Sequence, residues 1–129
     1  RVSLVGSEMC IRDSFLMFPG SEAKLLKGLK LGCSGCISAV TNVTHSIARK
    51  VFDDFENKTP QTKNDQLIAV RETFDQYNLI SALHSYHSIK DENYKNILPP
   101  LTLLSEEKKK ELIEKLNKLK FSGEKNLAA

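Results

Sequence analysis

The stretch Gly32-Cys33-Ser34-Gly35-Cys36-Ile37-Ser38-Ala39-Val40-Thr41-Asn42-Val43 decides how the chain is read. A glycine-punctuated turn leads into the short apolar run Cys36 to Val40, and the polar pair Thr41-Asn42 then precedes a helical pattern. This is the outline of a parallel strand in a βαβ unit. Upstream, Phe15-Leu16-Met17-Phe18 is a continuous apolar run too short for a helix and stopped by Pro19-Gly20. Such a run fits a strand buried on both faces. Between the two, Ser21 is a good N-cap and Glu22 suits the positive end of a helix dipole. Leu25, Leu26 and Leu29 form an apolar stripe with Lys24, Lys27 and Lys30 mostly off it, and Gly32 follows as a C′ glycine. Two parallel strands joined by one helix make a right-handed unit, so the expected class is α/β.

Downstream the periodicity is helical. Thr44 is placed to cap a helix whose face is Ile47, Val51, Phe52 and Phe55, and Asn57-Lys58-Thr59-Pro60 breaks it. Pro60 fits the first position of a third helix with the stripe Leu67, Val70, Phe74 and Tyr77. Asn78 separates it from a fourth, with Leu79, Leu83, Tyr86 and Ile89 or Lys90 at helical spacing. Ile97-Leu98-Pro99-Pro100-Leu101-Thr102 is expected to be extended, because the prolines disfavour helix at and before themselves. Ser105 starts the last helix, with Glu106 and Glu107 in its first turn and Leu112, Ile113, Leu116 and Leu119 on its buried face. The tail from Ser122 to Ala129 has little to bury. Two strands cannot cover their own faces or satisfy their own edges, so the reading is lopsided.

At 129 residues and 40% hydrophobic content the chain has the material of one domain. Nineteen Lys and Arg against 16 Asp and Glu leave a net charge of +3. The basic residues do not interleave with aromatics as a nucleic-acid surface requires, and they read as solvated helix faces. No run reaches the ~18 apolar residues of a membrane span, and none has the flanks of a signal peptide. The expectation is therefore a cytoplasmic protein with no nucleic-acid and no membrane partner. The triplets Asn42-Val43-Thr44 and Asn57-Lys58-Thr59 then read as helix-boundary residues, not as glycosylation acceptors.

Residues 1–14 sit apart. Leu4-Val5-Gly6-Ser7-Glu8-Met9-Cys10-Ile11-Arg12-Asp13-Ser14 has no clean period and resembles the in-frame translation of a sequencing-library adapter. It is expected to be an artefact that forms no part of the fold. The alternative is an edge strand Val2-Ser3-Leu4-Val5.

Three blocks carry a family likeness: Phe18-Pro19-Gly20-Ser21-Glu22, the run Gly28 to Val43 with its G-x-x-G-x-I-S-x-x-x-N pattern, and Leu98-Pro99-Pro100-Leu101 ahead of a Ser-Glu-Glu helix. Over residues 15–121 the chain resembles the C-terminal part of the dihydrodipicolinate synthase and N-acetylneuraminate lyase superfamily. The resemblance implies the last two βα units of a (β/α)8 TIM barrel plus a helical extension. Residues 15–19 would be strand 7, 22–31 helix 7, 36–40 strand 8, 44–56 helix 8 and 60–119 the terminal helices. The barrel part would then span 15–58, the extension 59–121 and the tail 122–129. A whole barrel takes ~250 residues, so this chain would be a fragment with six strands missing.

What the resemblance implies about activity is Schiff-base catalysis on pyruvate or a related 2-keto acid, by an aldolase or dehydratase. The family's lysine and its relay tyrosine lie on strands outside this chain, so no catalytic residue is assigned and the fragment alone is expected to be inactive. The pocket wall carries over: Gly20 matches the glycine after strand 7, Ile37 the position whose carbonyl faces the keto-acid group, and Ser38 lies beside it. Ser21 departs from the acidic residue frequent there, which leaves a sugar-acid aldolase or dehydratase open, and His84 stands where many relatives have lysine. No cofactor and no metal is implied, and the parent enzyme is expected to be a homo-oligomer, a tetramer or dimer.

Other motifs admit sharper readings. Cys33-Ser34-Gly35-Cys36 has the spacing of half a zinc site or a redox pair, but it lacks a second ligand pair and leads into a strand instead of a helix; two small buried residues fit better. His84 and His87 stand i, i+3 without a supporting carboxylate pattern. Gly32 to Gly35 lacks the order of a dinucleotide loop. The rival function is a non-enzymatic α/β interaction module that completes its sheet by dimerising.

Overall fold

A computed structural model of the protein describes residues 15–121. The adapter-like stretch 1–14, the alternative edge strand within it, and the tail 122–129 lie outside the described residues. Five α-helices follow in order: α1 Leu25–Lys30, α2 Thr41–Glu56, α3 Asn64–Asp75, α4 Leu79–His87 and α5 Glu106–Lys118. A 3-10 turn, Glu22–Lys24, runs into α1, and a second, Glu92–Lys95, follows α4. Among the described residues, no helix is long and apolar enough to cross a membrane.

The expected α/β class is overturned: the described residues are helical and contain no strand. Residues 15–19 and 33–38 carry no regular secondary structure and touch through two backbone bonds. Ser34 N–H donates to Met17 O at 2.8 Å and Ile37 N–H to Pro19 O at 3.1 Å. The donors are three residues apart and the acceptors two, whereas a parallel ladder advances equally on both sides. The extra residue breaks the register. A parallel pair also needs cover on both faces, and here the apolar run is open, with Phe15 62%, Leu16 70% and Ile37 71% exposed. Phe15 to Phe18 is therefore not the doubly buried strand that its composition suggested.

The helices form because their apolar positions fall on one side. Leu25 and Leu29 of α1 pack with Ala48 and Val51 of α2 and Leu67 of α3 in one cluster. Val40, Val43, Val70, Phe74, Ala82, Leu83, Leu112, Leu116 and Phe121 form the other, to which α2, α3, α4 and α5 all contribute. Helix α3 belongs to both clusters, and every other α-helix packs on α2 or α3. Gln66 of α3 also donates to Leu119 O at 3.0 Å, covering a free carbonyl at the end of α5.

Several boundaries differ from the pattern-based reading. Helix α2 begins at Thr41, so Thr44 is not its cap but a buried residue of its first turns. Helix α3 begins at Asn64, leaving Pro60 in the preceding loop. Asn78 and Ser105 do cap α4 and α5, accepting from Ser81 N–H at 3.1 Å and Lys108 N–H at 3.3 Å. The Pro99–Pro100 segment is a turn with a cis peptide, closed by Leu101 N–H on Leu98 O at 3.1 Å, so the expected extended run is interrupted there.

Candidate functional site

Glu22 is the most unusual side chain of the fold, a carboxylate with no exposed surface. Burying a charge is costly unless it is paired and hydrogen-bonded. The chain meets that need from three directions. Ser38 Oγ donates to Oε1 at 3.1 Å, Thr44 Oγ1 donates to Oε2 at 3.1 Å, and Arg71 Nη1 donates to Oε1 at 2.7 Å. Arg71 Nη1 also donates to Ser38 Oγ at 2.8 Å, and its Nε donates to Asp75 Oδ1 at 2.9 Å. The two carboxylates hold the guanidinium above its ordinary pKa against the opposing effect of burial.

Local structure puts each group in place. Ser21 caps the 3-10 turn, accepting from Ala23 N–H at 3.3 Å, which turns Glu22 inward. Thr41 Oγ1 donates to Ser38 O, and Asn42 Nδ2 donates to Ala39 O at 2.8 Å, so the start of α2 is tied to the segment that carries Ser38. Gly28 permits the close approach of that segment: a Cβ there would lie 3.1 Å from Pro19 Cγ and 3.5 Å from Cys33 Cβ.

Of the residues singled out from sequence, the structure joins only Ser38 directly to this network. Gly20 has open space where a side chain would stand. Ser21 is spent on the turn, and Ile37 points out while its N–H holds Pro19 O. Gly20 and Ser21 precede Glu22, and Ile37 precedes Ser38, so all four lie on two segments that meet at one place. Glu22, Thr44 and Arg71 were missed as site residues. Glu22 carried one available signal, an acid two residues after a Pro-Gly turn, but it was assigned to the helix dipole.

The other motifs resolve into packing. Cys33 and Cys36 form no disulfide with each other and are half-buried rather than fully buried. Burial, and secondarily the Glu22 charge, pushes the Cys36 thiol up, away from the reactive thiolate. His84 Nδ1 bonds Tyr94 O at 2.9 Å, and His87 stacks on the Tyr94 ring with centroids 4.7 Å apart.

Comparison with known proteins follows from this geometry. The sequence model of the dihydrodipicolinate synthetase family matches residues 4–119. The chain belongs to that family. The match begins inside the adapter-like stretch. Among solved structures, the chain is similar to dihydrodipicolinate synthase from Agrobacterium tumefaciens str. C58, with a TM-score of 0.62 and 15% identity. The alignment covers 92% of this chain and 40% of that one, and at this identity the likeness is one of fold. No curated protein matches the chain. In this member of the dihydrodipicolinate synthetase family, the Glu22 network holds the residues before α1 and before α2 side by side.

Proposed function

We propose that this chain is the C-terminal part of a Schiff-base lyase acting on pyruvate or a related 2-keto acid, and that it supplies one wall of the substrate site. The wall is Gly20 and Ser21 on one segment and Ile37 and Ser38 on the other. Family membership supports the reaction class. The observation that carries the assignment of the wall is the meeting of these segments, through Ile37 N–H on Pro19 O at 3.1 Å and Ser38 Oγ on Glu22 at 3.1 Å. The open space beside Gly20 leaves its backbone approachable.

The imine-forming amine is not in this part of the protein. Such a lysine must lose its proton to attack the keto carbon, which enzymes achieve by burying it or placing it beside another cation. Among the described residues no lysine is buried: Lys24, Lys27 and Lys30 are exposed along the edge of α1, and Lys115 is held in its charged form by Glu111 and Tyr77. In this reading the chain alone is inactive and works as part of a longer, oligomeric protein.

The test is incubation with pyruvate and borohydride followed by intact-mass measurement. The chain alone keeps its mass, whereas a protein extended with the upstream coding sequence gains the mass of a reduced pyruvyl adduct. An adduct on a lysine of this chain, or none in the extended protein, overturns the reading.

A further inference from the structure

One side chain from outside the two wall segments holds both of them. Arg71 stands on α3, separated by 49 residues from Glu22 and by 33 from Ser38, yet Nη1 donates to both, at 2.7 and 2.8 Å. Its Nε donates to Asp75, one turn further along α3, at 2.9 Å. That third bond fixes the guanidinium plane against its own helix. A shift of α3 would thus be passed to the segment 20–22 and the segment 37–38 together.

Stability alone does not account for this arrangement. A buried ion pair contributes little more than apolar side chains of similar size, and replacing both partners is often neutral. What an arginine adds is direction, since its planar fork presents several donors in fixed geometry. Ser38 is used up by the same fork. Its single proton goes to Glu22 Oε1 at 3.1 Å while its oxygen accepts from Arg71 Nη1 at 2.8 Å, leaving no proton for a substrate.

We infer that Arg71 is a positioning residue that sets the spacing of the two wall segments from α3, and that Ser38 serves the site through its backbone and not as a hydroxyl donor to substrate. The inference rests on the pocket-wall reading above for its functional meaning, but its physical content can be measured without a substrate.

Amide hydrogen exchange on the full chain tests it. In Arg71→Met combined with Glu22→Leu the urea midpoint stays close to that of the parent chain, while the Ser34 and Ile37 amides exchange about tenfold faster through local opening. Arg71→Lys keeps the charge but loses the fork, so it gives the same selective acceleration with the amides of α4 and α5 unchanged, and it serves where the double variant fails to fold. Unchanged Ser34 and Ile37 amides in either folded variant, or acceleration spread evenly over all helices, would overturn the inference. A failure to trap pyruvate in the extended protein leaves the exchange result standing. Unchanged exchange leaves a trapped adduct standing.

Discussion

Thr44 carries one side of the Glu22 environment on a single hydroxyl. Its Oγ1 lies 3.1 Å from both Glu22 Oε2 and Val40 O in a fully buried position, so one proton serves two acceptors, and Thr44→Val keeps the shape while removing that donor from the carboxylate. Urea unfolding is expected to show a loss of about 1.5–3 kcal/mol, the range for hydrogen bonds to charged groups, with Thr44→Ser recovering most of it. His87 supplies a second residue-scale expectation. Burial first, and then the neighbouring His84 and Lys90, hold its imidazole below the ordinary 6.5. Below that pH the unfolded chain binds the proton more readily than the folded one, so this contribution to stability is present above pH 6.5 and is lost as pH falls toward the folded value. Between about pH 7.5 and about pH 5, above the main carboxylate titrations, the urea midpoint should drop in the parent chain and drop less in His87→Phe, which retains a ring to stack on Tyr94. An equal drop in both would assign the effect elsewhere. At this scale the sequence was only partly legible. Ser38 is reached through a family likeness, and Glu22 does stand in the first turn after the Ser21 cap, but nothing local in the sequence shows that its carboxylate is buried. Arg71 was not singled out, because one basic residue among 19 on an amphipathic helix gives no sign of a partner 49 residues away.

The ends of the helices carry a clearer local code. Helices α1, α2 and α5 each close with the same paired bonds. Cys33 N–H reaches Gly28 O at 2.9 Å, Thr59 N–H reaches Asp54 O at 2.9 Å, and Phe121 N–H reaches Leu116 O at 3.0 Å, each with a second, inner bond. This termination needs a left-handed residue, and the three are Gly32 at φ 95°, Lys58 at φ 57° and Lys120 at φ 56°. Gly32 was recognisable from sequence for that reason, whereas the lysines occupy a conformation that costs an L-residue about 1–2 kcal/mol. Lys58→Gly should raise stability by up to about 1 kcal/mol after the loss of chain stiffness is set against that relief, as read by the urea midpoint. A lower midpoint would mean that the lysine stem contributes packing worth more than the strain. The apolar stripes of α1, α3 and α5 were readable because a 3.6-residue period needs only local sequence. The segments before α1 and α2 were not, since a strand is defined by its partner: Cys36 to Val40 has the composition of a strand, lacks the neighbours that would make it one, and turns at Ala39 and Val40 into α2.

At the scale of the molecule the burial is uneven, and this gives the last expectation. Two apolar clusters sit among the helices, while Phe15, Leu16 and Ile37 leave at least 62% of their surface open on the segments that carry the proposed site wall. Large apolar side chains left open on two segments that meet suit a surface covered by something else. If the missing cover is the upstream part of a longer protein, the chain alone should bind a hydrophobic dye such as ANS. Replacing Phe15, Leu16 and Ile37 together by Asn should then cut that signal while leaving the urea midpoint within about 0.5 kcal/mol, the usual range for exposed positions. A second copy of the chain as the cover predicts otherwise. The parent chain would then elute as a dimer whose urea midpoint rises with protein concentration, and the triple replacement would lower that midpoint by removing a buried interface. Light scattering on the parent chain together with unfolding of the triple variant separates the two, because a side chain that is exposed in the monomer stabilises only the assembly that covers it.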